Sequence, residues 1–144
     1  MALPFIIRAA EPADIPRVSA IRMAVTENVV SDPSKVSAEE VEWYRAQAIF
    51  LVAEVAGEVV GFTCANHQTG LIWALFMDAA HEGRGIGRAL LDAALEKLGA
   101  AGHRQAHLNT GADTRAARFY RAHGWRDMGL ELGGQIVFTR AIGD

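Results

Sequence analysis

Between Leu71 and Leu98 the chain runs from seven consecutive apolar residues, Leu71 to Met77, through Gly83-Arg84-Gly85-Ile86-Gly87, into a segment whose apolar residues Ile86, Leu90, Leu91, Leu95 and Leu98 recur at helical spacing. Gly70 before the apolar run and Asp78 after it mark it as a strand covered on both faces rather than a piece of helix. Gly99 and Gly102 are expected to stop the helix. A strand joined to a helix through alternating glycines narrows the architecture to mixed α/β. It also suggests a use. Glycine lets the backbone approach a ligand and adopt positive φ. The N–H groups of the first helical turn converge there, and the helix dipole favours an anion. Such a turn suits a phosphate or pyrophosphate, with Arg84 and Arg88 available for charge-assisted bonds. A tight strand-to-helix turn without a ligand has the same glycines. Two familiar phosphate loops are excluded: Gly87 is followed by Arg88-Ala89 rather than Lys and Ser/Thr, and neither Gly83 nor Gly85 begins a G-x-G-x-x-G series.

Around this joint the chain reads as β-α-α-β-β-β-α-β-α-β-β. Phe5 to Ile7 form a first strand, and Asp14 can cap a helix with the stripe Ile15, Val18, Ile21 and Val25. Ser37-x-x-Glu40 spells a capping box inside the staple Val36 and Val41, which predicts a helix from Ala38 to about Gln47. Phe50–Val55 and Val59–Ala65 pair as a hairpin about Gly57-Glu58, and Leu71–Met77 follows Gly70. Ala106–Asn109 is a short strand, Asp113 can cap a helix to His123, and Trp125–Leu130 and Gln135–Ala141 join through Gly133-Gly134. At 144 residues this is the length of one domain, 1–144. A net charge of -3 lacks the basic footprint of a nucleic-acid binder. One cysteine, Cys64, rules out an internal disulfide framework. No apolar run approaches a membrane span of about 18 residues, and no signal peptide is apparent, so a cytoplasmic protein without membrane or nucleic-acid partners is expected. The five histidines, His67, His81, His103, His107 and His123, make no metal-ligand spacing with Cys64 or the acids, and no metal is assigned.

The second distinctive run is Asp113 to Trp125. Ala116, Phe119, Tyr120 and His123 share one helical face, and Arg115, Arg118 and Arg121 flank it. Taken alone this is an amphipathic helix with Tyr120 in the core. Joined to the glycine turn, it resembles something more specific. Glu82-Gly83-Arg84-Gly85-Ile86-Gly87 is similar to the Gln/Arg-x-x-Gly-x-Gly/Ala signature of the GNAT superfamily, the acetyl-CoA-dependent N-acetyltransferases. Asp113-Thr114-Arg115-Ala116, Phe119-Tyr120 and Gly124-Trp125 resemble its second signature, Asn-x-x-Ala followed by Tyr and a Gly-aromatic pair. The likeness extends over about Phe5 to Ala141. It departs at Glu82, where the family has Gln or Arg, and at Asp113, where it has Asn.

The resemblance implies the GNAT fold, a central mixed, mostly antiparallel twisted sheet of about seven strands flanked by about four helices. It implies acetyl transfer from acetyl-CoA to a primary amine of a small molecule, peptide or protein, by direct attack through a tetrahedral intermediate. In the family the strand before the glycine turn splays from its neighbour and the pantetheine arm lies in the gap. Carried over, Phe76, Met77 and Asp78 supply backbone to that arm, with the Met77 N–H as oxyanion donor. Gly83, Arg84, Gly85, Ile86, Gly87 and Arg88 hold the pyrophosphate, and Asp113 adds a contact. Tyr120 becomes the acid that protonates the departing thiolate. Glu27, Asn28 and Trp73 are candidates to line the acceptor site, and Glu27, Asp78, His67 and His107 are candidate bases. A non-catalytic acyl-CoA-binding sensor or interaction module is the alternative on the same fold. Homodimer formation through exposed edge strands also fits it.

Overall fold

Successive side chains of a strand point to opposite faces of the sheet, so a strand that is apolar at every position needs cover on both. Ile49–Val55 (β2) is apolar at every position but Glu54 and is covered in this way: Phe50 and Val52 pack on one face, Leu51, Ala53 and Val55 on the other. The computed structural model describes residues 4–24, 38–111 and 114–142. With β2, the strands Ile6–Ala9 (β1), Glu58–Asn66 (β3), Leu71–Met77 (β4), Gln105–Gly111 (β5), Arg126–Leu132 (β6) and Gln135–Ala141 (β7) form one seven-stranded sheet in the order β1-β2-β3-β4-β5-β7-β6. Helices Ile15–Ala24 (α1) and Ala38–Gln47 (α2) cover one face, and Ile86–Ala100 (α3) and Arg115–Ala122 (α4) the other. All pairings are antiparallel except β4 with β5. The mixed, mostly antiparallel sheet and its flanking helices are those expected from the sequence.

Several local features differ. Asp14 closes a short 3-10 turn, Pro12–Asp14, rather than standing ahead of a helix; its carboxylate accepts the Glu11 N–H at 2.7 Å and both Arg8 terminal nitrogens at 2.8 and 2.9 Å. The β2–β3 turn is centred on Ala56-Gly57, both at positive φ, one residue earlier than expected, because a two-residue hairpin turn needs that conformation at both central positions. Helix α3 continues through Gly99 to Ala100. Gly99 is there for closeness, since a Cβ would come within 3.0 Å of Ile142 Cγ2. Helix α2 has the expected bounds, while Ser37 of its capping box and Val36 of its staple lie outside the described residues. Strand β4 is not buried along its length: Ile72 alone of its seven side chains is buried.

Candidate active site

The partial exposure of β4 comes from a gap in the sheet. Parallel strands β4 and β5 are in register at one pair, Leu71 and His107, held by the His107 N–H on the Gly70 carbonyl at 3.1 Å. Beyond that pair they part, opening a cleft toward the C-terminal ends of both strands. Ligands of open α/β sheets bind at such carboxyl-end crevices. The Asp78 N–H is committed to the Val60 carbonyl of β3 at 2.8 Å. Hydrogen-bonding edges alternate along a strand, so the Phe76 amide faces β3 as well, while Leu75 and Met77 turn theirs to the cleft. Of the expected backbone contacts, Met77 is therefore placed at the gap and Phe76 and Asp78 have their amides on β3. Leu75, which sequence reasoning missed, joins Met77; the two-residue alternation was its signal.

The cleft runs to the glycine turn. Gly83 and Gly85 have φ of +78° and +81°, and a Cβ at either would meet nothing within 4 Å. These glycines answer a backbone conformation rather than crowding, and the space above them is open. Gly85 is the N-cap of α3 without a side-chain cap. The first helical bond runs from the Ala89 N–H to the Gly85 carbonyl at 3.1 Å, so the N–H groups of Ile86, Gly87 and Arg88 have no partner within the helix. Ile86 anchors the turn by burying its side chain beneath the sheet, while Arg84 and Arg88 are exposed. A diphosphate fits this arrangement of bare amides, positive dipole and two cations.

On the other side of the cleft stands α4. Its N-cap is Thr114, whose Oγ1 accepts the Ala117 N–H at 3.1 Å and donates to the Gly111 carbonyl at 2.8 Å. Asp113, expected as cap and contact, lies outside the described residues. Arg115, the first residue of α4, forms an ion pair with Glu82 ahead of the glycine turn. The carboxylate that departs from the family pattern is thus matched by a cation from the opposite side of the gap. Tyr120 is 6% exposed and packs its ring against Phe119, Trp125 and Phe138. Burial pushes its phenol above the ordinary range, so it is protonated at neutral pH. Its hydroxyl makes no hydrogen bond among the described residues, yet it is not one of the fully enclosed unpartnered atoms, as the neighbouring Trp125 Nε1 is. The ring is part of the core.

Across the sheet from α3, strand β4 carries a bulge. Cys64 is opposite Ala74 but Ala65 is opposite Ile72, leaving Trp73 as the extra residue. Trp73 and Ala74 therefore both face α1 and α2. Trp73 stacks on Tyr44 with ring centroids 4.3 Å apart. Beside it is a cavity of about 90 Å³ lined by Val18, Ser19, Arg22, Val41, Phe50, Phe62, Cys64, Trp73, Ala74 and Phe76. Burial raises the Cys64 thiol well above its usual value, which leaves it an apolar wall rather than a nucleophile. Glu27 and Asn28 lie outside the described residues. Of the candidate bases, Asp78 is held below the usual carboxylate range by the Ala80 N–H and by Arg17, which also binds Glu58 and the Val59 carbonyl. It is a structural link between α1 and the end of β4. His107 Nε2 is 3.1 Å from the Thr69 carbonyl at the closed end of the cleft, and His67 accepts His103 Nε2 on its carbonyl in the β3–β4 turn. Neither stands at the open end. Among the described residues no group of three or more His, Cys, Asp or Glu is gathered as for a metal, and no helix is long and apolar enough to cross a membrane.

Residues 46–127 match the family model described as an acetyltransferase (GNAT) domain. No curated protein sequence matches the chain. Among solved structures, Ard1 from Thermoplasma volcanium is similar at a TM-score of 0.79 and 23% identity, over 97% of this chain and 99% of that one. The PaiA N-acetyltransferase of Thermoplasma acidophilum, in complex with coenzyme A, superposes at 0.80 with 16% identity, over 96% and 99%. The N-acetylglutamate synthase of Neisseria gonorrhoeae, with coenzyme A and N-acetyl-glutamate, matches at 0.80 and 17% identity over 100% of this chain but 36% of its own. At such identities the likeness establishes the fold.

Proposed function

The chain belongs to the GNAT acetyltransferase family, and on that premise we propose that it is an acetyl-CoA-dependent N-acetyltransferase acting on a primary amine, with residues 1–144 as one catalytic domain in the cytoplasm. One observation carries the reading: the cleft between β4 and β5 ends at an α3 N-terminus whose amides have no helical partner. In this reading Gly83, Arg84, Gly85, Ile86, Gly87 and Arg88 receive the diphosphate of acetyl-CoA, and Asp113 adds a contact to the cofactor. The cleft-facing edge of β4 at Leu75 and Met77 pairs with the pantetheine arm. The Met77 N–H donates to the carbonyl oxygen as negative charge grows there.

The acceptor's neutral amine attacks the thioester carbonyl carbon, a C–N bond forms, and the tetrahedral intermediate collapses with loss of the C–S bond. Tyr120 gives its proton to the departing thiolate sulfur and is restored by the proton shed from the amine nitrogen. An ordinary thiol is more acidic than an ordinary phenol, so this transfer is uphill in water. Burial raises the Tyr120 phenol further, so the transfer is coupled to cleavage of the C–S bond and to delivery of the amine proton that restores the phenol. The products are the N-acetylated amine and the coenzyme A thiol.

The test is thiol release from acetyl-CoA over a panel of primary amines, repeated with Tyr120→Phe. An acceptor should be found, and the variant should bind acetyl-CoA normally while single-turnover rates fall roughly 10²–10⁴-fold. Tight acetyl-CoA binding with no acceptor turned over would favour the non-catalytic acyl-CoA sensor. Unchanged single-turnover rates in Tyr120→Phe would remove it as the acid.

A further inference from the structure

The cavity beside Trp73 has a composition that specifies its occupant. Its walls are apolar and aromatic, chiefly Phe50, Phe62, Trp73 and Phe76, with Ser19 and Arg22 as the polar exceptions and no carboxylate among the described lining residues. Arg22, in the last turn of α1, is partly buried and has no hydrogen-bonding or ionic partner among the described residues. A ligand carboxylate that reaches this guanidinium gains a charge-assisted hydrogen bond on a partly buried cation. The volume of about 90 Å³ is that of about three waters at ~30 Å³ each, enough for one compact apolar group and not for a folded chain. The cavity also shares a strand with the cleft. Trp73, Ala74 and Phe76 line the cavity, while Leu75 and Met77 of the same strand present their amides to the gap.

Resting on the acetyltransferase reading, we propose that this cavity selects the acceptor, and that the acceptor is a free amino carboxylic acid with an apolar side chain of leucine or phenylalanine size. The side chain enters among the aromatic rings, the carboxylate meets Arg22, and the amine is left toward β4 and the thioester. A cationic polyamine fits badly, because Arg22 repels it and no described wall residue offsets its second charge.

Kinetics and binding together test this. Phenylalanine and leucine are compared with phenethylamine and phenylalanine amide, which lack the carboxylate, with glycine, which lacks the side chain, and with spermidine. Direct binding of phenylalanine and phenethylamine is measured by equilibrium dialysis in the presence of coenzyme A, where no transfer occurs. Phenylalanine and leucine should be the best substrates. Arg22→Met should weaken phenylalanine about 10- to 100-fold in KM and in dialysis, leave phenethylamine unchanged, and leave acetyl-CoA affinity and Tm as they were. Arg22→Lys should recover part of the loss. Carboxylate-dependent phenylalanine binding without turnover of any amine would overturn the enzyme reading and leave the cavity assignment standing. Acetylation of phenethylamine or spermidine with a kcat/KM equal to that of phenylalanine, or an equal effect of Arg22→Met on both phenyl compounds, would overturn the cavity assignment and leave the enzyme reading standing. If Arg22→Met unfolds, the charge-retaining Arg22→Lys and the wild-type selectivity decide.

Discussion

Glu82 places a negative charge beside a turn suited to an anion, and its pairing with Arg115 is what makes that tolerable. Both side chains reach solvent, so the pair is weak and screened by salt. Glu82→Gln should therefore tighten acetyl-CoA about two- to five-fold at low ionic strength, through loss of repulsion between the carboxylate and the diphosphate. Calorimetry at two salt concentrations checks this, and the gain should shrink at high salt. Thr114 bears on stability instead: removing its Oγ1 leaves the Ala117 N–H without its cap, so Thr114→Ala should lower unfolding free energy by about 0.5–2 kcal/mol in a denaturant titration. The residue that caps α4 is one position later than the sequence suggests, because Asp113 and Thr114 are both good caps and pattern alone does not choose between neighbours.

Elements show why some of the site was legible and some not. The glycine turn and the face carrying Tyr120 are local: each is written within one strand-turn-helix or one helix, and both stand where their periodicity puts them. The bulge at Trp73 is a property of two strands, since it exists only in the offset between Cys64–Ala74 and Ala65–Ile72. The cavity draws on α1, α2, β2, β3 and β4 together, and no single segment announces it. Arg22 did leave a trace, standing four residues after Val18 at the margin of the α1 apolar stripe. The strand β4 reads as covered on both faces because its residues are apolar, but the sequence does not show that one of its edges is open. In α3 the packing is independent of the site at its first turn. Leu98, fully buried at the far end, should cost about 2–5 kcal/mol on truncation to Ala, with acetyl-CoA affinity of the folded protein unchanged.

At the scale of the whole molecule, β1 and the start of α1 are tied by charge. Arg8 binds Asp14 and Glu54, and its guanidinium holds Asp14 below the usual carboxylate value. A carboxyl group whose folded pKa lies below its unfolded value binds protons more readily when unfolded, so it contributes stability above the unfolded value, about 3.8, and loses it as pH falls through the folded one. Asp14→Asn should lower stability at neutral pH and flatten its decline below about pH 4, as followed by Tm against pH. The account as a whole rests on the cleft between β4 and β5 being where acetyl-CoA lies. Amide hydrogen exchange with and without acetyl-CoA measures this directly. Protection should rise at Leu75 and Met77 and across Gly83 to Arg88, with β1 and β6 unchanged. Saturating acetyl-CoA that leaves those amides exchanging as before, or protects a different part of the sheet, would contradict it.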